Sequence, residues 1–562
     1  MKSLRLILFS LAIFIFIVEV VPSISKETSG RVWIFFKDKP QWKLKTYHPT
    51  VVLQYSKAAL QRRETRGLAA WEESDLPVDS SYVEMVRSAG ARVRTESRWL
   101  NAVSTVCNAD CIARVRTFPF VSSIEPVRTY RRPLEAIEPA TDIRLAPQST
   151  KALSYGASLD QLVQLTVPDA HKRGFSGKGE IVAVFDTGFR KDHIAFRSQT
   201  LIAEHDFVFD DNNVTNGGQF DSHGTGTWSC VGGAAPGKYY GPAYQADFVL
   251  AITEDIRSET IVEEDNWVAA MEWADRNGAS VISSSLGYIN WYGPSDLNGT
   301  IPVTSRAAST AARKGIVVVN SAGNEGPGSP SLSAPADALN ILAVGAINSQ
   351  GIIADFSSRG PTADGRIKPE VVARGVSTYI AGNFTQQSFG RSSGTSFACP
   401  LVAGCAAVLL SARPDWTPLQ VREALMMTAS RANTPDNNYG WGIVNLNKAI
   451  DFLPAKSVVI DHKSLKDTNR TAQPYQVLAK IRAQRGLNLS QLFLNWKRQG
   501  STTFTKVLFQ AVVGEVDRFQ AFIPSQSSGT TVEYFLSAKD IAGKQTRVPY
   551  RAPVNLYSFK VR

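Results

Sequence analysis

A chain of 562 residues is too long for one compact domain and predicts roughly three or four. Hydrophobic residues at 43% and charged residues at 20% exclude wholesale disorder and leave ample material for a large core. The net charge of +11 is spread thinly, its densest clusters being Arg62-Arg63 and Arg131-Arg132. No basic stripe is interleaved with aromatics, so no nucleic-acid partner is expected and the charge reads as a solvated surface.

At the N-terminus Lys2 and Arg5 precede an apolar run from Leu6 to Val18, followed by Glu19, Pro22 and the small residues Ser23 and Ser25. This is the pattern of an export signal over 1–25, cut near Ser25. The run is broken by Glu19 and short for a bilayer span. No later stretch reads as long and apolar enough to cross a membrane. The mature chain is therefore expected to have no stable membrane span and to lie outside the cytoplasm, secreted, periplasmic or at the cell surface.

Residues 26–128 read as a small α+β unit. Arg31–Lys37 (RVWIFFK), Asn101–Val106 and Phe120–Glu125 are predicted strands. Val51–Arg66, Ser80–Ala89 and Asp110–Thr117 are predicted helices, the first two ending at Gly67 and Gly90. The order predicts a ferredoxin-like fold. Cys107 and Cys111 are close enough to pair; Cys230, Cys399 and Cys405 fall in predicted helices and are expected as buried free thiols.

Residues 129–154 are irregular, with Arg131-Arg132-Pro133, Pro139 and Pro147, and read as a linker. From 155 to 454 short apolar runs alternate with helical patterns. Ile181–Phe185 (IVAVF), Phe248–Ile252, Ser280–Ser285, Ile316–Val319 and Ile341–Val344 are predicted strands, with helices over Glu263–Asn277 and Thr304–Lys314 between them. The pattern predicts an α/β domain with a doubly wound, mainly parallel sheet. The cluster Glu263-Glu264-Asp265 reads as a solvated helix face rather than metal ligands. From 455 to 562 strands alone follow, at Tyr475–Ile481, Leu492–Trp496, Lys506–Val512, Phe519–Ile523 and Val532–Ala538, and predict a β-sandwich.

Three sites in the α/β region can carry chemistry. Asp186-Thr187-Gly188 ends the strand IVAVF, and functional groups gather at the carboxyl ends of parallel strands. Asp221-Ser222-His223-Gly224-Thr225-Gly226 puts one of only six histidines on a glycine-rich turn before a helix. Gly394-Thr395-Ser396-Phe397-Ala398-Cys399-Pro400 opens a strongly apolar helix, with Pro400 read as tolerable in its first turn. Each alone has a plain structural reading: a loop-holding Asp, a buried His, a Ser N-cap. Together they supply a hydroxyl nucleophile, a base to take its proton and a carboxylate to hold the base. Free N–H groups at the helix start can meet an oxyanion.

Asp-Thr-Gly, Ser-His-Gly-Thr and Gly-Thr-Ser-x-Ala-x-Pro, in this order, resemble the three signatures of the subtilisin-like serine peptidases. The resemblance implies a triad of Asp186, His223 and Ser396. Ser321-Ala322-Gly323-Asn324-Glu325-Gly326 is similar to the family's oxyanion segment, which implies Asn324 as a donor. Ser285-Leu286-Gly287 resembles its substrate-binding edge strand. Gly226 stands where many members have a second His, Phe397 replaces a Met, and Ala195 falls where many bacterial members place a calcium-binding Asp. No metal is assigned and no cofactor is expected, the usual calcium loop being unsupported.

The stretch SKAALQRRETRG, the segment DLPVDSSYVEMVRSAGARV, the SRWLNAVS run and FPFVSSIEPV resemble pro-regions of secreted bacterial members. That implies an intramolecular inhibitor over 26–128, cut away within 129–154. Residues 455–562 resemble Ig-like or fibronectin-like modules appended to such enzymes. The expected function is a secreted serine endopeptidase acting on polypeptides through an acyl-enzyme and made as an autoprocessed zymogen. The alternatives are an inactive binding or adhesion protein on the same fold, and an esterase of the α/β-hydrolase type. The esterase would require Gly-x-Ser-x-Gly and the order Ser, Asp, His.

Overall fold

The computed structural model describes residues 30–40, 51–127, 129–130, 135–139, 153–255, 262–288, 292–452, 454, 458–483, 486–543, 545–549, 552–554 and 556–562. The expected signal segment and much of the linker lie outside these.

The N-terminal unit is built on strands β1 (Arg31–Phe36), β2 (Arg92–Ser97), β3 (Ala102–Val106) and β4 (Val121–Pro126), in the antiparallel order β2-β3-β1-β4. Helices α2 (Ser80–Ser88) and α3 (Ala109–Arg116) complete the ferredoxin-like pattern, and α1 (Lys57–Thr65) is inserted after β1. Asp79 and Asn108 cap α2 and α3 by accepting from the N–H groups of Ser81 and Cys111. Cys107 and Cys111 form a disulfide across the start of α3. Strand β2 had no apolar run to announce it. Its residues RVRTES are charged because it is an edge strand.

The α/β unit carries seven parallel strands: β7 (Ile181–Asp186), β8 (Thr200–Asp206), β9 (Asp247–Ile252), β11 (Val281–Ser284), β12 (Val317–Ser321), β13 (Leu342–Ile347) and β14 (Val371–Arg374). Their order is β14-β13-β12-β11-β7-β9-β8. The two outermost strands escaped the sequence reading. The apolar run of β8 (TLIAEHD) is only three residues long before it turns polar, and β14 is only four residues long. The inner strands are apolar on both faces because both are covered. Val182 and Val184 of β7 join the core beneath helix α7 (Thr395–Ala412). Ile181, Ala183 and Phe185 join the opposite core beneath α5 (Glu264–Arg276) and α6 (Val303–Arg313). Cys230, Cys399 and Cys405 are buried free thiols.

Helix α7 corrects one expectation. Among the described residues it is long and apolar enough to cross a membrane. Its residues are instead buried in the centre of the α/β unit, which demands the same all-round apolar surface. Pro400 also lies deeper than a first turn, at the sixth helical position.

The N-terminal sheet docks on α5 and α6. Trp33, Phe35, Trp99 and Ala102 share one core with Trp267, Met271, Ala307 and Ala311. The polar part of this interface is buried too. The Glu272 carboxylate accepts from Ser97 Oγ (2.6 Å) and the Trp99 N–H (3.1 Å). Arg62 and Arg63 of α1 both pair with Asp275, while Lys314 Nζ reaches Asp75 at 2.6 Å. Buried pairs of this kind contribute little net stability but cost about 3–5 kcal/mol when one partner is removed. They therefore specify this docking rather than merely strengthen it.

The C-terminal unit has two antiparallel sheets, one containing Val458–His462, Tyr475–Ala483, Arg518–Ile523 and Gln510–Ala511, the other Thr505–Leu508, Leu487–Arg498, Thr531–Asp540, Gln545–Val548 and Tyr557–Lys560. Alternate residues Tyr475, Val477, Ala479 and Ile481 enter a core shared with Leu492, Leu494 and Leu536 of the other sheet. This is the sandwich expected from the strand pattern.

Candidate active site

Asp186 is the last residue of β7, whose neighbours β9 and β11 connect in opposite directions along the sheet. Such a switch point opens a crevice at the strand ends. The buried Asp186 carboxylate is fixed on both oxygens. Oδ1 accepts from His223 Nδ1 (2.7 Å) and the Thr187 N–H (2.8 Å), and Oδ2 accepts from Thr227 Oγ1 (2.8 Å). His223 lies within the first turn of α4 (Ser222–Gly232), rather than on a turn before it. Gly224 permits this approach, since a Cβ there would sit 2.1 Å from the Gly188 carbonyl oxygen.

Ser396 is the second residue of α7, buried against Ser285. Pro400 has no N–H to give the Ser396 carbonyl four residues back. Ser285 Oγ donates to that carbonyl instead, at 2.7 Å. Ser396 Oγ in turn lies 3.4 Å from the Ser285 carbonyl oxygen. The helix proline and the Ser285 segment are thus one device that fixes Ser396. Leu286 and Gly287 continue the chain from Ser285 and are fixed in turn. The Leu286 carbonyl accepts from Asn320 Nδ2 at 2.9 Å, and Gly287 packs against Ser333.

Asn324 follows β12. Its Oδ1 accepts from the Thr395 N–H and from Thr395 Oγ1, both at 2.9 Å, which turns Nδ2 toward Ser396. Three of these residues, Ser396, Asn324 and His223, meet at one group that the sequence reading missed, the carboxylate of Glu135. Oε1 accepts from Ser396 Oγ (2.9 Å) and Asn324 Nδ2 (2.9 Å), and Oε2 lies 3.1 Å from His223 Nε2. Gly394 leaves room for it; a Cβ there would be 2.7 Å from Oε1. Glu135 had no local signal, being one carboxylate in an irregular stretch and 261 residues from Ser396.

Short ladders flank Glu135. Strand β5 (Thr129–Tyr130) pairs antiparallel with β10 (Val262–Glu263), and β6 (Glu138–Pro139) pairs antiparallel with β16 (Phe389–Ser392), which also pairs with β15 (Thr378–Ala381). The segment therefore lies across the crevice in the manner of an added strand. Strand β10 was another omission. It leads into Glu264 and Asp265, which are 0% and 1% exposed, so the expected solvated helix face is corrected. The docked N-terminal unit covers it, and the charge match with Arg31 and Arg94 was the available signal.

The electrostatics follow from the packing. Burial alone would lower the His223 pKa, but the Asp186 and Glu135 carboxylates on either side raise it to about 10. The imidazole is thus held charged and cannot accept a proton while Glu135 is seated. With Glu135 withdrawn, the same groups present a hydroxyl, a base held by a carboxylate and an amide donor facing one point.

The two departures at Gly226 and Phe397 are linked. A Cβ at Gly226 would lie 2.8 Å from Ile380 Cδ1 and 3.2 Å from Phe397 Cε1. The Phe397 ring packs 5.5 Å from the His223 ring and occupies that side of it. Ala195 is buried and its N–H is bonded to His193 Nδ1 (3.1 Å); its methyl offers no oxygen to a cation.

The chain matches the subtilase family over residues 177–442 and the Bacteroidota peptidase S8 propeptide domain over residues 31–141. It is 30% identical over 369 residues to subtilisin E of Bacillus subtilis (strain 168), spanning 65% of this chain and 85% of that one. It is 33% identical over 302 residues to a subtilisin of Bacillus pumilus, 53% of this chain and 99% of that one. Among solved structures it is similar in fold to fervidolysin from Fervidobacterium pennivorans, a keratinolytic enzyme related to subtilisin. There the TM-score is 0.58 at 21% identity, over 95% of this chain and 73% of that one.

Proposed function

Given that the chain belongs to the subtilase family of serine peptidases and carries its propeptide domain, we propose that it is a secreted endopeptidase made as a self-inhibited, self-processed precursor. Ser396 attacks the scissile carbonyl, His223 takes and returns the proton, and Asp186 orients His223. Asn324 Nδ2 and the Ser396 N–H hold the oxyanion. Ser285 holds the serine backbone, with Leu286 and Gly287 beside the cleft. The observation that carries this reading is the single carboxylate of Glu135 reaching Ser396, Asn324 and His223 at once.

That carboxylate stands where a substrate's oxyanion would develop. The segment 129–154 is accordingly both inhibitor and, once Glu135 withdraws, the self-processing substrate. Fluorophosphonate labelling of matured wild type, absent in Ser396→Ala, tests the reading. Absence of label on the matured wild type would refute it and favour a non-catalytic binding protein.

Asn324→Ala is expected to lower kcat by about 10²–10³ with little change in KM, the magnitude known for subtilisin itself. Steady-state kinetics on a chromogenic peptide would check it. An equal fall in binding would instead make Asn324 a substrate anchor.

Closure should also depend on pH. The charged His223 contributes fully to the closed form below its ordinary value near 6.5, and the contribution fades as pH rises through about 10. Fresh precursor should therefore label faster with a small fluorophosphonate as pH approaches 10. Glu135→Ala precursor should already label rapidly near neutral pH. A Glu135→Ala rate equal to wild type across this range would show that the carboxylate does not lock the site.

A further inference from the structure

Strand β10 is where an extended chain lies before it reaches Ser396. Tyr130 and Thr129 oppose Val262 and Glu263. Glu135, which meets Ser396 Oγ, comes five residues after Tyr130 in the sequence. Residues bound along β10 are thus several positions N-terminal to the bond that would be cut.

Beside this ladder is a buried acidic cluster. Glu264, at 0% exposure, opens α5 directly after β10, and Glu254, at 3%, lies just beyond β9. Tyr292 Oη donates to both Glu264 oxygens, at 2.9 and 3.1 Å. Asp265 follows Glu264 and is met by two groups of the propeptide, Ser104 Oγ and Arg94 Nε, the latter at 3.2 Å. One guanidinium of the inhibitor is therefore already drawn to the cluster.

Tyr288 supplies the independent observation. Its hydroxyl is buried, at 1% exposure, and has no hydrogen-bond partner among the described residues. Burial and the neighbouring Glu254, Glu264 and Asp265 carboxylates push its pKa well above the ordinary phenol value, so it stays neutral with an oxygen open to a donor. Buried carboxylates next to an open phenol oxygen suit a side chain with several N–H donors and a positive charge. The chain's own pro-segment has that chemistry, since Arg128, Arg131 and Arg132 bracket β5 in the sequence.

Resting on the endopeptidase reading, we propose that Glu254, Glu264 and Tyr288 form a specificity subsite for an arginine or lysine side chain of the substrate, several residues before the scissile bond. The subsite would select the polypeptide and the self-processing segment by the same contacts.

The test uses matured enzyme and quenched fluorescent peptides in which one arginine is moved through the third to sixth residue before the cut, each paired with its alanine counterpart. The readout is the ratio of kcat/KM for each pair, which is independent of how much enzyme is folded. At one position the wild-type ratio should be about tenfold or more. It should fall toward one in Glu264→Gln and in Glu254→Gln. Ratios near one at every position in active wild type, or a ratio undiminished in both variants, would overturn the subsite. Failure of the endopeptidase reading itself would look different, because Ser396 would not label and no peptide would be cut.

Discussion

Ser396→Ala is expected to leave the precursor uncut and, once matured by added wild-type enzyme, to turn over peptides about 10⁶-fold more slowly, a loss of the size known for subtilisin. On the proposed reading this hydroxyl forms the acyl-enzyme, and its described neighbours Ser285 and Cys399 offer no substitute. Ser285 Oγ is engaged with the Ser396 carbonyl at 2.7 Å. Cys399 Sγ faces the Ser284 and Val319 carbonyls, and burial raises its pKa to about 12. The fold should survive the change, because the Ser396 Oγ contacts with Glu135 and the Ser285 carbonyl hold no element of the core together. N-terminal sequencing of the secreted product in wild type and variant separates self-cutting from cutting by another enzyme. Identical processing in both would remove the self-processing claim while leaving the peptidase claim to the kinetic measurement.

Asp186→Asn is expected to lower kcat by about 10⁴-fold with the site geometry nearly intact. The carboxylate accepts from His223 Nδ1, and an amide in its place can turn its NH₂ toward that nitrogen. The imidazole proton then moves to Nε2, where the base must be free to take the serine proton. The Thr227 hydroxyl would still donate to the remaining oxygen and hold the new side chain in place, while the Thr187 N–H loses its acceptor, so the loss is chiefly one of tautomer rather than of folding. Kinetics together with an unchanged thermal transition of the Ser396→Ala, Asp186→Asn double variant, relative to Ser396→Ala alone, would check this. A loss below about tenfold would mean that Asp186 is a structural carboxylate.

On the proposed reading, the propeptide interface would keep these residues silent until processing. It combines an apolar contact through Trp33 and Trp99 with buried charges at Glu272, Asp275 and Lys314. Glu135 then reaches the reacting groups at the end of a segment anchored on both sides by β5 and β6. Inhibition therefore does not depend on one residue holding a flexible chain, although the closing contact with His223 is a single charge pair.

The sequence by itself determined the class of fold and the candidate triad, because both are written in short local patterns. Apolar runs such as IVAVF must be buried on two faces, and an Asp, a His-Gly and a Ser at the ends of such elements can only gather at one edge of a parallel sheet. What only the tertiary structure decided was everything that depends on distant segments meeting. Glu135 is unremarkable in its linker and becomes the plug of the site through the docking of the whole propeptide. Glu264 and Asp265 look like solvated charges until that domain covers them. Gly226 and Phe397 look like two separate departures until one is seen to fill the space beside the other. Pro400 and Ser285 lie over a hundred residues apart and are joined only by the carbonyl that the proline leaves open. Local patterns report which side chains must be hidden, whereas the identity of what hides them is set by packing between elements that the sequence keeps far apart.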